Sequence, residues 1–202
     1  MRAILMALGL IVAAPAFAGD LLTAPPSPPL SPSEIDSWSK ASFARSFSMG
    51  ALKGDLGTTL LTRFVAQAKA GKIQKMAGGD VAMAWACYDI AGDRVWLSAT
   101  DEMADKAYLD TVTIKPRNAG DTAGCASLPS AQKAAIDGAV RIGMTKADLI
   151  ARLGAPSKQK ADWLVFRANP LIQGGSTITT LIVRIDGAGK VAFIEASNIT
   201  AD

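Results

Sequence analysis

The sequence contains no histidine among its 202 residues. This absence removes the commonest general base near neutral pH, every Ser/His or Cys/His dyad, and the commonest zinc ligand. The chain also lacks a strong excess of charge of one sign, because 21 basic and 18 acidic residues leave a formal charge of only +3. The basic residues do not form a run. Binding to nucleic acid or to an anionic membrane therefore has no support in the composition.

An apolar run long enough to span a membrane is missing as well, and the longest apolar run lies at the N-terminus. Arg2 precedes the almost wholly apolar residues 3–14, and Ala16-Phe17-Ala18 fits the small-x-small cleavage rule. The run is shorter than the about 20 residues that a spanning helix needs. No cysteine follows it to carry a lipid. We predict a signal peptide over residues 1–18, cleavage near Ala18, and a soluble periplasmic or secreted protein without a membrane span or lipid anchor.

Cysteine is scarce, since Cys87 and Cys125 are the only two. In an oxidising compartment an even pair most often forms a disulfide. Redox-active dithiols are usually close together, as in C-x-x-C, whereas these two are far apart in the chain. We therefore predict a structural Cys87–Cys125 disulfide.

The order of apolar patterns predicts an α+β fold. A proline-rich arm spans residues 19–33, and the run "APPSPPLSPS" favours an extended, stiff conformation. Two helices packed on an antiparallel sheet of three or more strands are then expected. The order of elements recurs, so the chain could consist of two tandem ααβββ modules over residues 34–120 and 121–202. Helices are predicted from Ser33 to Phe47 and over 58–70, 130–138 and 146–153. Strands are predicted over 81–90, 94–100, 107–115, 162–168, 177–186 and 190–198.

The stretch "RIGMTKADLIARLGAP", residues 141–156, is the most distinctive segment. Thr145 and Asp148 form a capping box for a short helix, and Gly154 and Pro156 are suited to end it. The stretch lacks the spacing of a phosphate-binding loop and has no G-x-S-x-G elbow. Its residues are therefore explained by local helix structure, without chemistry of their own.

The same stretch resembles a known family once later residues are included. Its Gly-Met-Thr start, its Leu-Gly-x-Pro end, an aromatic strand and a final Asp-x-x-Gly-Lys-Val hairpin are similar to the SmpA/OmlA (BamE-like) envelope module. The matching positions are Gly143, Met144, Thr145, Asp148, Leu149, Leu153, Gly154, Pro156, Trp163, Phe166, Asp186, Gly189, Lys190 and Val191. The resemblance covers residues 130–200 and implies a compact, non-catalytic protein-contact module. Two such modules in tandem would resemble the family of secreted β-lactamase inhibitory proteins.

Two other features have alternative interpretations. Asp101, Glu102, Asp105 and Asp110 could form part of a hydrolytic or calcium site, but a solvated loop is the preferred interpretation. Trp96 is a possible interface residue if it is exposed on a sheet, and packing under a helix is the alternative.

The leading functional hypothesis is a protein-interaction or scaffold module of the bacterial envelope, without catalysis, cofactor or metal. Its expected partner is another envelope or secreted protein. One alternative is a secreted enzyme inhibitor with a plug loop near residues 100–106 or 170–176. The other, less favoured, is a carboxylate-based hydrolase.

Overall fold

The structure is a computed structural model that describes residues 24–30, 43, 45–78, 81–100, 107–118, 121, 124–168 and 177–200. The predicted signal peptide lies outside these residues. So does most of the helix predicted from Ser33.

Most of the described chain is antiparallel β-sheet. The strands are β1 (Ser46–Met49), β2 (Leu52–Asp55), β3 (Gln74–Gly78), β4 (Val81–Ile90), β5 (Asp93–Thr100), β6 (Thr111–Pro116), β7 (Ala126–Ser127), β8 (Ala135–Ile136), β9 (Lys158–Lys160), β10 (Trp163–Arg167), β11 (Thr177–Ile185) and β12 (Val191–Thr200). Two short helices are described, α1 (Leu61–Ala68) and α2 (Lys146–Leu153).

Nine strands form one large sheet. Its order is β3-β4-β5-β6-β12-β11-β10-β9, and β7 pairs parallel to β4 outside this path. The junction between β6 and β12 joins early and late parts of the chain, with Ile194 opposite Ile114. Strands β2, β1 and β8 form a second, three-stranded sheet.

The main core lies on one face of the large sheet. Alternate residues of each strand point into it, as strand geometry requires. In β5, for example, Val95, Leu97 and Ala99 are buried in the main core. The small sheet and both helices contribute Phe47, Phe64, Leu149 and other apolar residues to the same core.

The predicted α+β fold, with two helices on an antiparallel sheet of three or more strands or two tandem ααβββ modules, is wrong because the described chain is mostly strand. Phe47, expected at the end of the first helix, belongs to strand β1, and residues 130–138 contain strand β8 in place of a helix. In β1 the buried residues Phe47 and Met49 alternate with half-buried serines, which is the period of a strand. The strands of both predicted modules are hydrogen-bonded into one sheet.

The strand predictions are largely confirmed. The six predicted strands correspond to β4, β5, β6, β10, β11 and β12. In β4 the alanines Ala84 and Ala86 face the main core, whereas the bulky residues Trp85 and Cys87 are buried on the opposite side of the sheet. Small alanines at this position leave room for the side chains of α1 and the neighbouring strands.

The two helices that are present follow their local signals. Thr145 Oγ1 accepts a hydrogen bond from the Asp148 N–H at 3.1 Å, so Thr145 is the N-cap of α2, as predicted. Gly154 ends α2 with φ of 77°, a value that favours glycine. Within the described residues, neither helix has the length and apolar character needed to cross a membrane.

Candidate interaction face

The face of the large sheet turned away from the main core carries a different set of side chains, and we call it the outer face. Directly opposed residues of six neighbouring strands form one line across it. This central row consists of Cys87, Trp96, Thr113, Glu195, Ile182 and Val165, from β4 to β10. The row is apolar at both ends and polar in the middle.

Residues Ala24–Leu30, which we call the strap, lie across this outer face. Ala24 packs against the cluster of Trp85, Cys87 and Trp96 at one end of the central row. Leu30 is buried against Val165 and Ile182 at the other end. The strap contains no helix or strand.

The length of the strap matches the distance that it covers. Six steps of an extended polyproline chain span about 19 Å. Neighbouring strands are about 4.8 Å apart, so the distance across the sheet is about 14 Å from β5 to β11 and about 24 Å from β4 to β10. The two ends of the strap contact these pairs of strands. The length of a stiff, proline-rich segment of this size therefore lies between the two distances and suffices to connect the apolar ends of the central row.

Two hollows lie along the strap. The first, of about 320 Å³, is lined by Pro26 and Pro29 of the strap and by aromatic and basic side chains of the sheet. These side chains are Lys115, Trp163, Arg184 and Phe193. Trp163 and Phe193 make an edge-to-face contact with ring centroids 5.4 Å apart, and the Arg184 guanidinium lies 5.8 Å from the Trp163 ring centroid. The hollow thus combines aromatic surface with positive charge.

The second hollow, of about 200 Å³, is lined by polar groups of the sheet. Pro25 and Pro28 of the strap face it together with Ser98, Thr113 and Glu195. Ser98 and Thr113 are only 4 % and 1 % exposed. Their hydroxyl oxygens have no hydrogen-bond partner among the described residues. Buried hydroxyls normally find a partner, so these two are available to a ligand.

The same hollow contains an acid with an unusual affinity for its proton. Burial raises the pKa of Glu195 to about 7, with a smaller contribution from the nearby Asp110 carboxylate. Burial also raises the pKa of Asp110, although the Thr100 N–H donates to its Oδ2 at 2.6 Å. Glu195 is therefore a group on the outer face that titrates near neutral pH.

The predicted disulfide is confirmed. Cys87 and Cys125 are bonded, with their Cα atoms 4.6 Å apart. The bond lies on the outer face, where Cys125 packs against the cluster of Trp85, Cys87 and Trp96. It attaches the connection after β6 to the centre of β4.

Trp96 points to the outer face, as its register predicts, but it is buried and only 2 % exposed. Ala24 and the disulfide pack in its cluster, and the Lys115 ammonium lies 5.5 Å from its ring centroid. The strap, with the disulfide, takes the place of the expected covering helix. Trp96 therefore supports the strap and is not an exposed anchor.

Several of the motif residues meet at one place away from the outer face. The Gly143 N–H donates to the Val191 carbonyl, and the Val191 N–H donates to the Met144 carbonyl, both at 2.8 Å. The Lys146 N–H donates to the Gly189 carbonyl at 2.9 Å. The start of α2 is thereby hydrogen-bonded to the final hairpin.

The other motif residues have structural positions. Leu153 is buried in the main core, and Pro156 follows the end of α2. Asp186 Oδ1 accepts hydrogen bonds from the Ala188 and Lys190 N–H groups, both at 2.9 Å, and Gly189 completes the turn with φ of 74°.

Of the four candidate hydrolytic or calcium-binding residues, only Asp110 is among the residues that the structure describes. Asp101, Glu102 and Asp105 lie outside the described residues, as do residues 169–176 and therefore most of both candidate plug loops. Asp110 is half-buried beside β5, and its carboxylate accepts a hydrogen bond from the Thr100 N–H. Among the residues that the structure describes, no three Cys, Asp or Glu side chains come together as metal ligands would.

A separate cleft of about 520 Å³ lies between the small sheet and α1. Its cations Lys53 and Arg63 are exposed, and Asp55 and Thr59 are joined by a hydrogen bond from the Asp55 N–H to Thr59 Oγ1 at 2.9 Å. The hydrogen bonds described for these residues are local and pair no hydroxyl group with a carboxylate. The outer face is therefore the better candidate site.

Sequence reasoning found the strap as a proline-rich arm and the disulfide, but it did not place them on the same face. It also missed Glu195, which lies in a strand of otherwise apolar and small residues. A glutamate at an alternate position of a mostly buried strand was the available signal. Comparison of the chain with known protein families, with curated proteins and with solved structures finds no match.

Proposed function

We propose that this protein is a non-catalytic protein-interaction module of the bacterial cell envelope and that the outer face is its binding surface. One observation carries the proposal: a broad sheet face is crossed by an irregular, proline-rich segment of the chain, which packs there without forming a further strand. A face that holds one extended peptide has the shape and chemistry to hold another. The aromatic and arginine side chains in the first hollow are the types enriched at protein interfaces.

The proposed location is the periplasm, with export directed by residues 1–18. The Cys87–Cys125 disulfide supports a compartment that is oxidising, because disulfides persist there and are rare in the cytosol. The expected partner is another envelope or secreted protein.

Membership of the SmpA/OmlA family remains part of the proposal. The hydrogen bonds that Val191 makes with Gly143 and Met144 support it, since they join two segments on which the resemblance depends. The fold that the resemblance implied is not retained, because a nine-stranded sheet replaces the three-stranded one.

The proposal is tested by site-specific photo-crosslinking in cells. A photoreactive residue at Ala192, which lines the first hollow, should give a discrete adduct with an envelope protein. The matched control is the same residue at Gln67, an exposed position on α1. Equal labelling at both positions, or no reproducible adduct at Ala192, would contradict a binding role for the outer face.

A further inference from the structure

We propose that the outer face is a receptor for an extended, proline-rich segment of a partner protein, and that the strap is an internal copy of that ligand. This inference rests on the proposed function and names the chemistry of the partner. Its support comes from how the strap is held, what the face offers, and what the strap leaves unused.

The contacts described for the strap are packing contacts. Four of its seven residues are prolines, which have no N–H to donate. Within the described residues, no hydrogen bond joins the strap to the sheet. Its buried contacts are concentrated at Ala24 and Leu30. A segment held in this way can leave without disrupting the sheet, whose strands are paired with one another.

The outer face has the features by which proteins recognise proline-rich peptides. Such peptides dock in grooves lined with aromatic rings, and their preformed extended helix lowers the entropy cost of binding. Here Trp163 and Phe193 line a hollow beside Pro26 and Pro29. At the end of the groove, Val165 and Ile182 form an apolar pocket that Leu30 fills.

The strap does not use everything that the face offers. The hydroxyls of Ser98 and Thr113 are buried beneath it and lack a hydrogen-bond partner among the described residues. A peptide with an acceptor at this point, such as an Asn or Gln carbonyl, would gain hydrogen bonds that the strap does not make. A partner segment of this kind can therefore displace the strap.

Displacement has to overcome the high local concentration of the strap. A short tether gives an effective concentration on the order of millimolar. A free peptide of the strap's own sequence should therefore bind the wild-type chain poorly, and weakening the strap should expose the face. This difference is what an experiment can measure.

The experiment uses the full secreted chain with its disulfide intact and a fluorescein-labelled peptide of residues 20–31 as the probe. Leu30→Asp in the protein places a charge in the Val165/Ile182 pocket and should release the strap. Fluorescence anisotropy should show that the variant binds the probe at least tenfold more tightly than the wild-type chain does. A scrambled peptide and a probe carrying its own Leu30→Asp change should both fail to bind.

Two further measurements test whether misfolding of the variant or dimerisation of the chain explains the result. Leu30→Ala should shift the affinity in the same direction by a smaller factor, which covers the case in which Leu30→Asp does not fold by far-UV circular dichroism. Sedimentation of the wild-type chain should show a monomer. A dimer that depends on Leu30 would overturn the proposal, because the face would then bind the strap of a second copy.

Equal probe affinity of both variants and wild type, or equal binding of the scrambled peptide, would also overturn it. The two proposals fail separately. A specific crosslink at Ala192 without probe binding would leave the interaction module intact but exclude proline-rich chemistry. Probe binding without any crosslink in cells would instead support the peptide receptor while contradicting the envelope partner.

Discussion

Glu195 of β12 lies directly opposite Thr113 of β6, and both side chains line the hollow between the outer face and the strap. A carboxyl group in this position loses water when the strap covers it. Docking of the strap and protonation of Glu195 are therefore linked: the closed face favours the neutral acid. The strap region should accordingly respond to pH near neutrality.

The first prediction concerns this pH dependence. The pKa of Glu195 is about 7 in the folded protein and 4.5 ordinarily, so the folded state holds an extra proton between these values. Its contribution to stability is fully present below pH 4.5 and is lost as the pH rises through 7, by at most about 3 kcal/mol. Glu195→Gln should remove this loss. Urea unfolding at pH 4.5 and pH 8, followed by tryptophan fluorescence, measures it.

The comparison isolates Glu195 from other acids. Asp93 and Asp110 also have raised pKa values, whereas that of Asp121 is lowered, and all three remain in both proteins. The wild-type chain should therefore lose more stability between the two pH values than the variant loses. Parallel pH profiles for the two proteins would contradict the assignment.

The second prediction concerns the Cys87–Cys125 disulfide. Closing a loop between residues 38 positions apart stabilises the folded state by about 4 kcal/mol in the chain-entropy relation. The Cys87→Ser/Cys125→Ser variant should show this loss in urea unfolding. Adding a reductant should lower the stability of the wild-type chain towards that of the variant and leave the variant unchanged. A reductant effect of the same size on both would show that the loss does not come from the disulfide.

Much of the sheet could be predicted from the sequence because its strands are long and their signals are local. Strands β4 and β5 alternate and are separated by a two-residue turn at Ala91 and Gly92, so pattern and turn chemistry agree. The cap at Thr145 and the turn at Asp186 were equally local. These features depend on residues within about four positions of one another.

The fold as a whole could not be predicted, because it depends on pairings between distant residues. Ile114 and Ile194 are opposed across the β6–β12 junction, and nothing near either residue specifies the other. The short strand β8 is made by Ala135 and Ile136, whose partners Ser48 and Phe47 lie far earlier in the chain. The candidate site has the same difficulty, since the strap at residues 24–30 contacts strands that begin at residues 81 and 163.

The third prediction tests the packing of the small sheet. A Cβ atom on Gly54 would lie 2.5 Å from Cζ and 2.7 Å from Cε1 of the buried Phe47 ring. Gly54→Ala should therefore destabilise the protein by about 1–3 kcal/mol, the usual cost of overpacking. Gly187→Ala is the control, because a Cβ atom there meets nothing within 4 Å. Thermal unfolding of the two variants should differ, and a similar melting temperature for both would contradict the close contact.

The fourth prediction concerns a buried ion pair. Arg94 is 3 % exposed, and its Nε lies 2.7 Å from Asp89 Oδ1, while Nη2 donates to Oδ2 at 3.0 Å. Asp89→Ala removes the main partner of a buried charge and should cost about 3–5 kcal/mol. The double variant Asp89→Ala/Arg94→Met should be more stable than Asp89→Ala alone. Chemical unfolding of all four members of the cycle measures the coupling, and additive losses would contradict a specific pair.

The fifth prediction concerns the most distinctive stretch of the sequence. The Thr145 hydroxyl caps the N-terminus of α2 by accepting a hydrogen bond from the Asp148 N–H at 3.1 Å. The same hydroxyl donates to Asp148 Oδ2 at 2.7 Å. Thr145→Ala should cost about 1 kcal/mol, whereas Thr145→Ser keeps the hydroxyl and should cost only a few tenths of a kcal/mol.

Because α2 is hydrogen-bonded to the final hairpin through Lys146 and Gly189, the loss should appear in global unfolding as well as in local fraying. Amide hydrogen exchange at Val191, whose N–H donates to the Met144 carbonyl, separates these two effects. Faster exchange at Val191 in Thr145→Ala but not in Thr145→Ser would establish that the cap stabilises the hairpin, and unchanged exchange in both would limit its effect to α2.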